Sequence, residues 1–167
     1  AIITDCTSCG MMFKDKAPKC FPEDHPLQEK IGDFNSKFYE VTEYLQNEGL
    51  EVQPSNLNLK WSYHVPCHRD WSPTVKDAPR QLLAQIPDLE LREFENPEQC
   101  CGGAGTYFME HRETAESIRA TRLEDVSNTE SDALLTQCPV CRFYLGFQVK
   151  DREVTHPIKI LARAYNL

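Results

Sequence analysis

Short apolar segments alternate with longer amphipathic segments along most of this 167-residue chain. Apolar residues in short runs or at every second position predict strands at residues 1–4, 59–65, 89–94 and 133–136. Apolar residues spaced three and four apart predict helices at residues 27–49, 79–86, 106–126 and 157–165, with further helical turns beginning near Met11 and Phe143. Three prolines predict a loop at residues 14–26. The order strand, turn, helix therefore repeats along the chain.

This repeating order predicts an α/β fold with a mainly parallel, Rossmann-like sheet flanked by helices. Parallel strands need long crossover connections, and the predicted helices supply them. In such sheets a functional site lies beyond the carboxyl ends of the strands. The residues that directly follow the predicted strands are therefore the candidates for a functional site.

Cysteines follow the predicted strands, and the chain contains eight of them. Five come shortly after the last three predicted strands: Cys67, Cys100, Cys101, Cys138 and Cys141. A C-x-x-C turn can place two thiolates on one metal, and an adjacent pair seldom forms a disulfide because its geometry is strained. This spacing indicates metal or redox chemistry in a reducing compartment. We expect the five cysteines to form one metal-binding set.

The number of cysteines bears on the choice of metal. Structural zinc takes four ligands, and a cubane iron–sulfur cluster is also held by four cysteines. Five thiolates indicate a less regular iron–sulfur cluster, in which Cys100 and Cys101 serve different irons or one sulfur bridges two irons. In the alternative, one of this pair is a buried cysteine and the other four ligands hold zinc or a cubane cluster. Gly102 and Gly103 let the backbone approach the pair closely, with amides free to point at sulfur.

Three spaced motifs resemble those of the cysteine-rich CCG domain. They are Tyr-His-Val-Pro-Cys-His at residues 63–68, Gln-Cys-Cys-Gly-Gly-Ala-Gly-Thr-Tyr at residues 99–107, and Cys-Pro-Val-Cys at residues 138–141. That domain recurs in one subunit of heterodisulfide reductase and in the iron–sulfur subunits of anaerobic glycerol-3-phosphate dehydrogenase, glycolate oxidase and lactate oxidation systems. The resemblance covers about residues 60–167. It implies a [4Fe-4S] cluster of the non-cubane type, bound by Cys67, Cys100, Cys101, Cys138 and Cys141.

The domain usually occurs twice in that family, and Cys6 and Cys9 resemble the closing C-x-x-C of a preceding copy. We expect residues 1–58 to contain the end of that copy and a connecting helix, and residues 59–167 to form a complete CCG domain. The first residue is Ala1, which indicates a processed chain or a fragment of a longer protein.

Two thiolates do not complete a cluster, so Cys6 and Cys9 predict an incomplete second metal site or one that another chain finishes. A zinc site supplemented by Cys20 and His25 is a further interpretation. The remaining interpretations of Cys6 and Cys9 are free thiols or a disulfide.

Charge and apolar content narrow the class of partner. The formal net charge is −8, with 26 acidic and 18 basic residues, and the sequence has no Lys/Arg cluster of the kind that nucleic-acid binders carry. The apolar runs are too short to span a bilayer. We therefore expect no nucleic-acid partner and no membrane span in this chain.

The resemblance implies an iron–sulfur electron-transfer module of a multi-subunit oxidoreductase, similar to heterodisulfide reductase or to the glycerol-3-phosphate, glycolate and lactate dehydrogenases. The implied partners are flavin- or iron–sulfur-containing subunits, with a quinone or a disulfide as acceptor. The implied location is the cytoplasm, with attachment to the inner face of the membrane through partners.

Two histidines flank the first cysteine of the set. His64 and His68 are candidates to donate hydrogen bonds to sulfur, and a histidine satisfied by the backbone is the alternative for each. The sequence does not identify which residues, if any, are catalytic. The alternative function for the chain is a zinc-stabilised structural or interaction domain without redox activity.

Overall fold

Six strands in two parallel sheets form the frame of the computed structural model, which describes residues 1–50 and 53–167. The smaller sheet pairs β1 (Ile2–Thr4) with β2 (Phe38–Glu40). The larger sheet contains β3 (Leu59–Tyr63), β4 (Leu89–Leu91), β5 (Ala133–Leu135) and β6 (Glu153–Thr155). Its strand order is β4-β3-β5-β6, and each neighbouring pair is parallel.

Helices connect these strands. Their bounds are α1 (Thr7–Met11), α2 (Ala17–Lys19), α3 (Leu27–Ser36), α4 (Val41–Glu48), α5 (Ala78–Leu83), α6 (Tyr107–Glu110), α7 (Arg112–Asn128), α8 (Pro139–Gly146) and α9 (Pro157–Ala164). A π-helical segment, Met12–Lys16, joins α1 to α2. Among the described residues no helix is long and apolar enough to cross a membrane. The predicted α/β class, with parallel strands flanked by helices, is confirmed.

The two central strands, β3 and β5, lie in the middle of the hydrophobic core because helices cover both faces of the sheet. All three residues of β5 are buried, which suits a strand covered on both sides. Ala133 and Leu135 point to one core cluster with Trp61, whereas Leu134 points to a second cluster with Leu145. This alternation follows from the two-residue period of a strand.

Four details of the predicted elements were wrong. The helix predicted at residues 27–49 is interrupted by β2, because Phe38 and Glu40 are buried by pairing with β1, a contact that local periodicity does not report. The helix predicted at residues 106–126 is broken at His111, whose φ of −127° and ψ of 56° are not helical. Part of the predicted loop at 14–26 is helical, since a proline is tolerated in the first turn of α2. Strand β6 was not predicted.

A buried polar network joins the smaller sheet to the carboxyl end of β5. Glu40 accepts a hydrogen bond from the Thr42 amide at 2.8 Å and from Nε2 of Gln137 at 2.9 Å. Its other oxygen lies 3.2 Å from Nε2 of His156, which also caps α9 by accepting from the Ile158 amide. Gln137 directly precedes Cys138, so this network fixes the start of the second C-x-x-C turn. The domain boundary near residue 58 stays a prediction.

Candidate metal centre

Three loops meet at the carboxyl edge of the larger sheet. Cys67 lies on the loop after β3, Cys100 and Cys101 lie on the loop after β4, and Cys138 lies three residues beyond β5. The backbone amide of His64 donates to the Leu135 carbonyl at 2.9 Å, which keeps β3 and β5 in register up to this edge. Parallel strands end on the same side of a sheet, and this brings the three cysteine groups together.

The five thiols lie near enough for each to shift the pKa of the next, in a sequence that we call the contact chain. Its order is Cys67, Cys100, Cys101, Cys141 and Cys138. The Sγ atoms of Cys101 and Cys141 are 3.2 Å apart, and all five thiols are free. Cys101, Cys138 and Cys141 are buried, whereas Cys67 is exposed. The set is therefore enclosed on the sheet side and open to solvent at Cys67.

Hydrogen bonds between the thiols divide them into proton acceptors and proton donors. The Cys141 thiol donates to Cys138 and, with the Cys141 and Val140 amides and the Ser8 hydroxyl, lowers the Cys138 pKa to about 5. Hydrogen bonds from Cys101 and Cys67 lower the pKa of Cys100 to about 2. The donors keep their protons, so the pKa of Cys67 and that of Cys141 are raised above the usual range. Because metals bind thiolates, a cation would displace the protons shared within this set.

The glycines after the adjacent pair are required by close packing. Gly102 has a φ of +83°, and a Cβ at this position would lie 2.4 Å from the Ala115 carbonyl oxygen. Its amide lies 3.3 Å from the Cys100 sulfur, and the Gly103 amide lies 3.4 Å from the Cys101 sulfur. The prediction that amides here point at sulfur is confirmed. Such hydrogen bonds stabilise thiolates and tune a bound cluster.

His64 lies inside the site. Its ligand atom and the sulfurs of Cys101 and Cys141 all lie within 4.8 Å of one another, and the residue is 1% exposed. Nδ1 of His64 has no hydrogen-bond partner among the described residues. Burial, together with the Arg122 charge, lowers the pKa of His64 to about 3, so the imidazole is neutral. The sequence named His64 as a candidate, but no signal in it separated this role from ordinary packing.

His68 reaches the set through a hydroxyl. Its Nδ1 lies 2.8 Å from Oγ of Ser8, and that oxygen lies 3.6 Å from Sγ of Cys138. The Thr7 amide also donates to the Gln137 carbonyl at 3.3 Å. The turn between Cys6 and Cys9 is therefore packed directly against the end of β5. Ser8 was not predicted as part of the site.

Cys6 and Cys9 begin α1 beside this centre but are not part of the contact chain. The Cys9 amide donates to the Cys6 sulfur at 3.3 Å, and burial, with the Cys9 thiol as the next cause, raises the pKa of Cys6 to about 11. Cys20 donates to the Lys16 carbonyl, and His25 accepts from the Leu27 amide. Within residues 1–50 and 53–167, no cluster of three close metal-ligand atoms includes any of these four.

The donor set of the five cysteines fits an iron–sulfur cluster. Thiolates are the soft ligands that hold such clusters, and they are supplied here by three loops at the carboxyl edge of the sheet. Cys100 and Cys138 are already biased toward the thiolate form, while His64 and the two glycine amides offer hydrogen bonds at the periphery. That these five residues bind the cluster stays a proposal.

A parallel α/β sheet with cysteine loops at its carboxyl edge defines a cysteine-rich domain of the α/β class. The chain belongs to the CCG cysteine-rich domain family, whose model matches residues 61–146. The matched segment runs from β3 to α8 and contains all five cysteines of the contact chain.

Curated relatives are similar over nearly the whole chain. One subunit of the fumarate reductase (CoM/CoB) of Methanothermobacter marburgensis is 29% identical over 99% of this chain and 32% of its own length. An uncharacterized iron-sulfur protein of Methanococcus maripaludis is 32% identical over 95% of this chain and 29% of its own. Lactate utilization protein A 2 of Bacillus cereus is 26% identical over 99% of this chain and 70% of its own. The chain thus spans about a third of the first two relatives.

Proposed function

We propose that this chain is the cluster-binding electron-transfer module of a multi-subunit oxidoreductase. The family and the relatives support an iron–sulfur redox module. The observation that carries the finer proposal is the contact chain of five sulfurs, because a four-coordinate metal needs only four of them. We propose a non-cubane [4Fe-4S] cluster with Cys67, Cys100, Cys101, Cys138 and Cys141 as its ligands.

When bound, such a cluster accepts and donates single electrons. The chain's own residues set the conditions for that chemistry. The amides of Gly102 and Gly103 place positive dipoles on sulfur, and neutral His64 can donate one N–H in the buried wall. The exposed edge at Cys67 gives a route by which a partner can approach.

Electrons would come from a flavin- or iron–sulfur-containing subunit and pass to a quinone or a disulfide. The named relatives support partners of the oxidoreductase class, since one is a subunit of a fumarate reductase and another is a lactate utilization protein, and the flavin, quinone and disulfide follow from the family resemblance. The proposed location is the cytoplasm, with attachment to the inner membrane face through partners. We further propose that Cys6 and Cys9 belong to a second site completed by residues outside this chain.

Anaerobic reconstitution with iron and sulfide tests the proposal. We expect four iron and four sulfide per chain (the composition of the proposed cluster), with an EPR signal that changes between the oxidised and the reduced form. One zinc per chain with no sulfide, after strictly anaerobic handling, would overturn it. Air must be excluded throughout because exposed thiolates oxidise.

One observation favours a second candidate, a zinc-stabilised domain. His64, Cys101 and Cys141 lie close together, and Cys138, whose pKa the Cys141 thiol lowers, is a candidate for the fourth ligand of a Cys₃His set of the kind that structural zinc uses. Replacing His64 with Ala separates the two candidates. Zinc binding would fall strongly, whereas a cluster held by five cysteines would be retained with an altered reduction potential.

A further inference from the structure

A groove lined by aromatic side chains lies beside the cysteine set and plays no part in it. We call it the aromatic groove and define it by Phe108, Phe143, Tyr144, Phe147 and Arg119. Its volume is about 470 Å³, a size typical of small-molecule sites. The rings come from α6 and from α8 with its C-cap residue Phe147, and Arg119 comes from α7.

The rings leave apolar surface open to solvent. Phe143, on α8, is 61% exposed, and Phe147, at the C-cap of the same helix, is 62% exposed, although the other face of α8 is buried. The ring centroid of Phe108 lies 4.9 Å from that of Tyr144 and 6.2 Å from that of Phe143. Clustered exposed rings of this kind mark a binding surface. Their flat faces suit a planar ligand.

Arg119 supplies one polar group with an unused hydrogen-bonding capacity. Its side chain is 8% exposed, and its guanidinium lies 4.2 Å from the centroid of the Tyr144 ring. Its contact with Oε1 of Glu116 is 3.8 Å long, and that oxygen already accepts from Arg112 at 2.9 Å. In the part of the chain that the structure describes, the side chain of Arg119 has no hydrogen-bond partner beyond this long ion pair. A guanidinium that lines an open groove and makes no short hydrogen bond to protein is free to donate to a ligand that brings an acceptor oxygen.

Gly103 lies between the aromatic groove and the cysteine set. A Cβ on Gly103 would lie 3.4 Å from Cβ of Tyr144 and 3.5 Å from Sγ of Cys101. The Phe108 amide donates to the Gly103 carbonyl at 3.3 Å. Tyr144 is also one helical turn beyond Cys141 on α8. A ligand in the groove would therefore lie close to the thiols without touching them.

We propose that the aromatic groove binds a quinone, with Arg119 donating to a quinone carbonyl and the rings stacking on the quinone plane. This inference rests on the proposed function and names the site of its acceptor. A disulfide substrate fits the groove less well, because its sulfur must meet a thiolate or a metal directly and Gly103 and Tyr144 stand between. A quinone needs no such contact, since electrons cross a short gap without bond formation.

Equilibrium dialysis of the cluster-loaded chain against duroquinone tests the proposal. The ring carbons of duroquinone are all substituted, so it does not add to thiols. We expect one bound duroquinone per chain. The double variant Phe143→Ala, Phe147→Ala should weaken the affinity by about tenfold or more through lost ring contacts. Both side chains are exposed, so this variant is expected to fold normally.

Arg119 provides the second arm of the test. Arg119→Gln should weaken the binding of duroquinone by about tenfold, through loss of the charged hydrogen bond, and Arg119→Lys should restore part of it. The matched control is Phe13→Ala, which alters another aromatic surface groove, with Phe21 and Phe34, that contains no arginine. Phe13→Ala should leave the affinity unchanged.

Iron and sulfide are measured in each sample, so a failure of cluster loading is seen separately from a failure of quinone binding. The dialysis result tests quinone binding by the groove whether or not the cluster loads, because no residue of the groove belongs to the proposed ligand set. The absence of duroquinone binding by the wild-type chain would overturn the inference. An equal loss of affinity in Phe13→Ala would overturn it too, since binding would then be a general property of apolar surface.

Discussion

The two C-x-x-C turns of this chain occupy similar positions in the fold, but their first cysteines have very different pKa values. Each follows a parallel strand and opens a helix: Cys6 occupies the N-cap position of α1 after β1, and Cys138 occupies that of α8 after β5. The pKa of Cys6 is raised to about 11 by burial, whereas that of Cys138 is lowered to about 5 by hydrogen bonds led by the Cys141 thiol. The same local motif therefore has opposite proton affinity in the two places.

The difference arises from what surrounds each turn. Cys138 and Cys141 meet Cys101 from another loop, and the adjacent glycine amides point at neighbouring sulfurs. Cys6 has one thiol neighbour on its own turn, Cys9, which is exposed. A C-x-x-C turn thus supplies two ligands, and the long-range packing of other loops decides whether a metal site forms around them.

The largest expected effect concerns metal loading. Cys141→Ser should lose most of the iron bound after anaerobic reconstitution, because a hydroxyl is a poor substitute for a buried thiolate ligand. Cys9→Ser, at the equivalent position of the first turn, should keep its iron content. Iron and sulfide analysis measures both. An equal loss in the two variants would mean that the turns form one site.

The next effect concerns the junction between the two regions. Glu40→Ala should lower the free energy of unfolding by about 3 kcal/mol, because Gln137 and Thr42 lose a buried acceptor and His156 loses the carboxylate oxygen 3.2 Å from its Nε2. Glu48→Ala, at an exposed position of α4, should change stability by less than about 0.5 kcal/mol. Urea denaturation of the metal-free chain measures both. Equal stability of the two variants would show that the smaller sheet is not coupled to the larger one.

A smaller effect concerns backbone packing at the adjacent cysteines. Gly102→Ala should cost about 1–3 kcal/mol, because it combines a positive φ with a Cβ 2.4 Å from the Ala115 oxygen. Gly32→Ala, in α3 with no atom within 4 Å of the new Cβ, should be neutral or stabilising by up to about 1 kcal/mol. Thermal denaturation distinguishes them. A tolerated Gly102→Ala would mean that this loop can relax away from α7.

The smallest effect is a difference in pH dependence of the metal-free protein. The pKa of Cys6 is raised from 9.0 to about 11, so its contribution to stability is present below pH 9 and is lost as the pH rises toward 11. The pKa of Cys138 is lowered from 9.0 to about 5, so its contribution is present above pH 9 and is lost as the pH falls toward 5.

Serine variants separate these two contributions. Cys6→Ser should reduce the loss of stability between pH 9 and 11, and Cys138→Ser should reduce the loss between pH 9 and 5. Urea midpoints measured under reducing conditions across this range test both statements. If Cys6→Ser instead acted between pH 9 and 5, and Cys138→Ser between pH 9 and 11, the pKa values of the two turns would be the reverse of those described.

Sequence reasoning succeeded where the signal is local or follows from topology. The buried run at β5 and the alternation at β3 are visible in the residues themselves, and parallel topology then places Cys67 and Cys138 at one edge. Strand β2 could not be predicted, because Phe38 and Glu40 also fit a helical spacing and only pairing with β1 makes them a strand.

The missed parts of the site depend on packing between distant segments. Ser8 reaches Cys138 only because α1 is set against the end of β5. Arg119 joins the aromatic groove only because α7 packs beside Tyr144. Neither contact leaves a periodic or motif signal in the sequence.

The exposure of Cys67, beside four more protected thiols, gives the centre an open side. Iron and sulfide entering the folded chain and dioxygen reaching an assembled cluster would share this opening. Oxidation would therefore start at the sulfur nearest to solvent and proceed inward toward Cys101 and Cys141. A partner protein docked over Cys67 would close that route, so assembly of the complex would also protect its cofactor.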